Sequence, residues 1–197
     1  MRSLCGRLRR TCARIIPPMM PTPVRRCARA ATVALALVGV ACSPTFDWRE
    51  TQPPDAAVVA LFPCKPDRFS RVVGLAGAPV KMLLVSCTAG GLTFALSHAE
   101  LPAADRVGPA LQALRDALAA NTGAPLRVLS PMRVPGMTPQ PLAERVLAEG
   151  RRPDGAALRV QAGFFCFGTR VYQASVVGSV ADADTIDTFF SGLRLPR

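Results

Sequence analysis

Short apolar runs alternate with turn residues in the stretch that follows residue 57. The runs at 58–62, 69–75 and 80–86 are rich in Val, Leu and Phe, and prolines or a Gly-containing turn separate them. The pair Gly90-Gly91 follows, and LTFALSHAEL then returns as another apolar run. Glycine accepts a positive φ without a Cβ clash, so this pair suits a tight turn between two strands. The pattern predicts a β-meander.

After residue 106 the apolar residues recur with a helical period. They stand at spacings of four, three and four residues, at Val107, Leu111, Leu114 and Leu118. These spacings place all four on one face of a helix. Pro109 is compatible with the first turn of that helix, and Gly123 suits its C-terminal cap.

A second, shorter helix is predicted from about residue 139 to residue 149. Thr138 would be its N-cap, Gly150 would end it, and Leu142, Val146 and Leu147 would be its apolar residues. Its carboxylates, Glu144 and Glu149, are five residues apart and would not face each other, so a paired-carboxylate site is not supported.

The sequence of the C-terminal part predicts a hairpin followed by a helix. ALRVQAGFFCFGTRVYQASVVGS predicts two long strands folded over Gly168-Thr169. Asp184 is expected to cap a last helix that carries Ile186, Phe189, Phe190 and Leu193, with Asp182 and Asp187 favourable at its positive end. Strands and helices without strict alternation predict an α+β fold, an antiparallel sheet of about six strands with two or three helices packed on it.

The aromatic run Phe164, Phe165 and Phe167 has consequences for both faces of the sheet. In a strand, Phe165 and Phe167 would share one face, and Phe164 and Cys166 the other, so both faces are apolar. Helices would cover one face, and the second helix or a partner the other. We interpret Tyr172 and these phenylalanines as core.

The N-terminal 41 residues differ from the rest in charge. The chain carries a formal net charge of +11, but 8 of its 24 basic residues precede Cys42, where no acid occurs. The remaining 16 basic and 13 acidic residues leave only +3. A phosphate-binding face therefore has little support, and we expect no nucleic-acid partner.

An apolar segment, ARAATVALALVGVA, ends immediately before Cys42. A basic cluster precedes it, and it is too short for a spanning helix of about 20 residues. This order is typical of a signal peptide, with Met1, Met19 or Met20 as the start. The sequence predicts a basic leader and signal peptide at 1–41, an exposed linker at 42–56, and one α+β domain at 57–197.

Gly39-Val40-Ala41-Cys42 resembles the lipobox of bacterial lipoproteins, in which the cysteine becomes the lipidated N-terminus. It departs from that motif because Gly39 stands where Leu is usual. The resemblance implies an acyl anchor at Cys42 in a bacterial cell envelope, facing the periplasm, and Ser43 favours the outer membrane over the inner. The alternatives are ordinary signal-peptidase cleavage after Ala41 and an uncleaved anchor.

The order of elements from residue 55 onward resembles the PsbP and Mog1 superfamily. The segments that carry this resemblance are FPCKPDRF, VYQASVVG and a helix ending FFSGLRL. The whole chain is also similar to an uncharacterised proteobacterial lipoprotein type with DWRE after the cysteine. These resemblances imply a PsbP/Mog1-like fold and no catalytic residues.

Three cysteines follow Cys42. In an oxidising envelope, Cys64 and Cys87, each near the end of a predicted strand, are expected to pair, although spacing alone does not establish connectivity. Cys166, within an apolar run, is expected to be a small buried hydrophobe. The cysteine spacing and the single histidine predict no metal site, and we expect no cofactor.

His98 is the one candidate general base, with Ser97 or Ser86 as nucleophile and Asp105 or Glu100 as the orienting acid. No GxSxG motif occurs, so we expect His98 to be an exposed residue at a strand end. We therefore predict no catalytic residues.

Trp48 has two interpretations. It contacts a partner or the membrane interface, or it packs on the domain together with Phe46. The sequence as a whole predicts a non-enzymatic, membrane-anchored envelope lipoprotein that binds a protein partner or a small ligand. The alternatives are an envelope enzyme using His98, and a soluble secreted binding domain without lipid.

Overall fold

The computed structural model describes residues 45–179 and 182–196. The predicted leader and Cys42 lie outside these residues. Within them, the chain forms nine strands and two α-helices. In chain order these are β1 (Arg49–Thr51), β2 (Ala60–Phe62), β3 (Asp67–Leu75), β4 (Ala78–Ala89), β5 (Leu92–Glu100), α1 (Val107–Thr122), β6 (Arg127–Pro131), β7 (Glu144–Arg151), β8 (Ala157–Phe167), β9 (Arg170–Gly178) and α2 (Ala183–Ser191).

Seven of the strands form one sheet in the order β3-β4-β5-β9-β8-β7-β6, and every neighbouring pair is antiparallel. β1 and β2 form a separate antiparallel pair. The predicted α+β class with an antiparallel sheet is therefore correct. One of the six predicted strands, at 58–62, belongs to the β1–β2 pair, and the main sheet contains two strands that were not predicted, β6 and β7. The sequence gives only a weak signal for β6, because all five of its residues are exposed.

Both faces of the sheet are buried, in two separate hydrophobic clusters. On one face, Phe164 and Cys166 join the cluster that contains α1. On the other face, Phe165 belongs to the cluster that contains α2 and β2, and Phe167 packs against it. The alternation predicted for the FFCF run is confirmed, and helices lie on both sides of the sheet.

The first helix is the one that the apolar period predicts. Val107, Leu111, Leu114 and Leu118 are all buried on the side facing the sheet. The helix ends at Gly123, whose left-handed backbone (φ 62°) lets its N–H reach the carbonyl of Ala120. A side chain would strain this conformation, which explains why glycine is present.

The predicted helix at 139–149 is wrong, because this segment contains strand β7. Val146, Leu147 and Ala148 are consecutive and all buried, as expected for a strand between β6 and β8 that is covered on both faces. Because both faces of this strand are buried, its apolar residues do not simply alternate with polar ones, and some of them fall at the spacings expected of a helix. Glu144 and Glu149 form separate ion pairs, with Arg115 (2.5 Å) and with Arg159 (3.7 Å).

The last helix is present, but its cap differs from the predicted one. Asp182 is the N-cap, and its carboxylate accepts hydrogen bonds from the N–H groups of Asp184 and Thr185. Asp184 lies inside the first turn instead. The Thr185 hydroxyl also donates to this carboxylate (2.7 Å), and this bond, together with the two backbone bonds, lowers the pKa of the Asp182 carboxyl. The buried residues of the helix are Ile186, Phe189 and Phe190, as expected. Leu193, also predicted on this helix, is buried but lies beyond its last residue, Ser191.

The segment predicted as an exposed linker is partly folded. Arg49–Thr51 forms β1, which pairs with β2 in the register Glu50 to Leu61, and Ala56 is buried in the core. The folded domain therefore includes residues that precede the boundary predicted at residue 57. Prolines and charges dominate this segment and are typical of a linker, but Ala56 lies in the core and Phe46 and Trp48 pack against it.

Candidate binding site

A groove of about 490 Å³ lies between α1 and the β3–β4 end of the main sheet. Helix α1 packs on β7, β8 and β9 and reaches β3 only weakly. It therefore leaves part of the sheet face on β3, β4 and β5 uncovered. The groove is the consequence of covering a seven-stranded sheet with a single 16-residue helix on this side.

The floor and walls of the groove are mainly apolar. Met82 and Leu84 of β4 form part of the floor, while Leu114 and Leu118 of α1 form one wall. The opposite wall is the edge strand β3, where Phe69 has 57% of its surface exposed. A ligand in this groove would bury apolar surface that water now contacts, which is the main source of binding free energy for such sites.

Polar groups occur at a few positions around this apolar surface. Arg71 of β3 and Asn121 of α1 stand on opposite walls, and Ser97 and Gln173 lie on the neighbouring strands β5 and β9. The Ser97 hydroxyl donates to the carbonyl of Gln173 (3.4 Å), so that part of the floor is internally satisfied. Arg71 and Asn121 are exposed and keep side-chain donors for a ligand.

His98 is not an exposed strand-end residue, as the sequence predicted, but a buried one with 3% of its surface accessible. It lies on β5 opposite Tyr172 of β9, on the face that carries α2. The two rings are 5.9 Å apart, and Tyr172 stacks on Phe165 at 4.7 Å. The prediction failed because β5 is a central strand, and the residues covering its end come from the distant segment that precedes β2.

The catalytic grouping considered from the sequence is not assembled. Ser97 is adjacent to His98 on one strand, and Ser86 pairs with Ala95, so both hydroxyls point to the opposite face of the sheet. Glu100 binds Arg170 (2.6 Å) and the hydroxyl of Thr169.

Asp105 occupies a 3₁₀ turn before α1. The grouping also lacks a nucleophile, because neither Ser86 nor Ser97 is on the same face of the sheet as His98.

The His98–Tyr172 pair is nevertheless unusual. Among the residues that the structure describes, neither His98 Nε2 nor the Tyr172 hydroxyl has a hydrogen-bond partner. Burial lowers the pKa of His98, and the Arg170 guanidinium adds to this effect, while the Pro54 carbonyl, Asp55 and Glu100 oppose it. Burial also raises the pKa of Tyr172. The pair is therefore held in its neutral forms.

The cysteines follow the sequence-based expectation. A disulfide joins Cys64 to Cys87, so it ties the segment before β3 to the end of β4. Cys166 is free and buried, and burial raises the pKa of its thiol. A buried thiol of raised pKa is inert, in agreement with a packing role.

Trp48 packs on the domain, which is one of its two predicted interpretations. Its ring lies 5.9 Å from that of Phe46 and 5.9 Å, edge to face, from that of Phe94 in the core. Phe46 also covers the turn at Gly90, where an added Cβ would meet its ring at 2.6 Å.

In 45–179 and 182–196, no helix is long and apolar enough to cross a membrane.

The groove was missed at the sequence level, although the sequence contains a signal for it. Arg71, Ser97 and Gln173 are polar residues at positions that face α1's side of otherwise apolar strands. Polar residues on an apolar strand face indicate that this part of the face is not covered. Their strands are distant in the sequence, so only the strand order shows that they lie close together.

Comparison with known proteins adds little on function. No family model matches the chain, and no curated protein matches it. A crystal structure from Bacteroides thetaiotaomicron VPI-5482 is similar with a TM-score of 0.43 and 14% sequence identity, covering 76% of this chain and 48% of that one. The chain thus spans about half the length of that protein. We therefore infer function from the groove and the sequence.

Proposed function

We propose that the protein is a non-enzymatic, lipid-anchored protein of a bacterial cell envelope whose domain binds a ligand or partner in the periplasm. The anchor is Cys42, which follows an apolar segment of signal-peptide length and a basic cluster. The Cys64–Cys87 disulfide supports an oxidising compartment, because such bonds are rare in reducing ones. Ser43 after the cysteine favours the outer membrane.

The groove between α1 and β3 is the observation that carries the binding role. It combines an apolar floor with two exposed donors, Arg71 and Asn121, on opposite walls. Ligand sites are typically concave and mainly apolar with a few polar groups that orient the ligand. We assign no reaction to His98, because it is buried on the other face of the sheet and Ser86 and Ser97 point away from it.

Binding in the groove is tested with 1-anilinonaphthalene-8-sulfonate, an apolar anion whose fluorescence rises on binding. Ala117 and Ala120 are both exposed residues of α1, but only Ala117 lines the groove. We expect Ala117→Phe to weaken dye binding about tenfold by filling the groove, and Ala120→Phe to leave it within about twofold. Equal dye affinity of the two variants, or no dye binding by the unmodified chain, would refute the proposal.

The anchor is tested separately by the intact mass of the protein recovered from membranes. An acylated N-terminus at Cys42 is the expected result. A free N-terminus at Cys42 would indicate a soluble secreted domain, and a retained leader would show that the opening segment is not a cleaved signal peptide.

A further inference from the structure

The two edge strands of the main sheet carry the exposed large hydrophobic residues of the described chain. Phe69 and Val72 lie on β3, with 57% and 71% of their surfaces exposed, and Val128 and Leu129 lie on β6. An edge strand also presents backbone N–H and C=O groups that no neighbouring strand satisfies. Both edges can therefore accept a further strand.

The β3 edge is distinguished by its unbalanced positive charge. Exposed basic residues surround it, at Lys65, Arg68, Arg71, Lys81 and Arg106, whereas Asp67 is the one acidic residue of β3. Among residues 45–179 and 182–196, none of these five basic side chains forms an ion pair. Unpaired charges beside exposed apolar residues favour a partner of opposite charge.

From this charge and exposure we infer that β3 accepts an extended, acidic segment of another envelope protein as an eighth strand of the sheet. Main-chain hydrogen bonds along β3 would provide affinity, and side chains at alternate positions would provide specificity. The inference rests on the proposed function, because one face of the added strand would lie beside Phe69 and Arg71, which line the groove.

The register of β3 defines the segment that fits. Phe69, Arg71 and Val73 line the groove, while Arg68 and Val72 point to the other face, where Lys81 is the cross-strand neighbour of Val72. Opposite-charge and apolar cross-strand pairs stabilise a sheet. The matching segment therefore has acids opposite the two arginines and apolar residues opposite the other three positions.

A second copy of this chain is a poorer partner for the same edge. Antiparallel pairing of β3 with another β3 would bring Arg68 and Arg71 close to the same arginines of the other copy. Pairing with β6 would bring β3 near the exposed Arg127. Like charges across a strand pair are destabilising, so the charge pattern favours a different, acidic protein.

The test uses the full chain, purified from membranes in detergent, and two synthetic peptides. The acidic probe is acetyl-Thr-Val-Val-Glu-Thr-Val-Glu-Thr-amide, which in antiparallel pairing places its glutamates opposite Arg71 and Arg68. The control peptide has Lys in place of both glutamates. We expect the acidic probe to bind about tenfold more tightly by fluorescence anisotropy, more weakly at high salt, and to slow hydrogen exchange in β3.

Charge reversal distinguishes this site from general attraction. We expect Arg71→Glu to weaken binding of the acidic probe about tenfold and to strengthen binding of the lysine peptide. Arg127→Glu, on the other edge strand, should leave the affinity for both peptides unchanged. Three results would each overturn the inference: equal affinity for the two peptides, exchange protection in β6 instead of β3, or a peptide-free dimer protected at β3. If dye binding in the groove survives any of these results, the inference fails while the proposed function stands.

Discussion

The packing of α1 against β7 can be tested by adding one methyl group at Gly150. A Cβ built at Gly150 lies 2.1 Å from the carbonyl oxygen of Thr122, the last residue of α1, and 3.2 Å from its carbonyl carbon. Ordinary contact begins near 3.4 Å, so the end of the helix must move by about 1 Å. The obstacle is backbone, which no change of side-chain rotamer can relieve.

We expect Gly150→Ala to lower the free energy of unfolding by about 2 kcal/mol, within the range measured for overpacked sites. Gly74→Ala is the matched control, because Gly74 is also in a strand and an added Cβ there meets nothing within 4 Å. At that position alanine reduces the entropy of the unfolded chain, and we expect a gain of about 0.5 kcal/mol.

Urea unfolding monitored by the fluorescence of Trp48, the single tryptophan, measures both variants. We expect the two variants to have the same m-value but different midpoints, because the substitutions change the stability and not the surface exposed on unfolding. Gly150→Ala should also weaken dye binding, because Leu118 and Asn121 near the displaced helix end line the groove. If the two variants differ by less than about 0.5 kcal/mol, the proposed packing of α1 on β7 is incorrect.

Three further predictions concern groups whose environment the structure defines. Replacing both Cys64 and Cys87 by Ser should lower the free energy of unfolding by about 3 kcal/mol, because the disulfide restricts the unfolded chain across a separation of 23 residues. Urea unfolding of this variant and of the oxidised protein measures the difference, and an unchanged midpoint would contradict the disulfide. His98 has a folded-state pKa below its unfolded value, so its neutral form stabilises the protein above pH 6.5, and this contribution is lost as the pH falls through the folded pKa. His98→Leu should therefore flatten the pH dependence of the unfolding midpoint below pH 6.5. An unchanged pH dependence would contradict the burial of His98. Removing the N-cap by Asp182→Ala should lower the thermal midpoint by a few degrees, about 1 kcal/mol in comparable caps, whereas no shift would show that the cap bonds do not form in solution.

Local periodicity and turn chemistry were enough to predict much of the fold. The 107–122 helix follows from apolar residues at helical spacing and from Gly123 at its end, and the β8–β9 hairpin follows from two apolar runs around Gly168. The FFCF alternation predicted two buried faces for the same reason. These features depend on residues that are close in the sequence, so a single segment contains the information.

Long-range packing decided what the segments alone could not. The 144–151 segment is a strand because β6 and β8 flank it, although its own apolar spacing resembles a helix. His98 is buried because the segment preceding β2 covers a central strand, and the groove exists because α1 is too narrow to cover the sheet up to its β3 edge. The sequence by itself predicted the class of the fold and the pairing of Cys64 with Cys87, and the structure confirms both. Only the strand order determined which faces stay uncovered, since burial depends on neighbours that are distant along the chain.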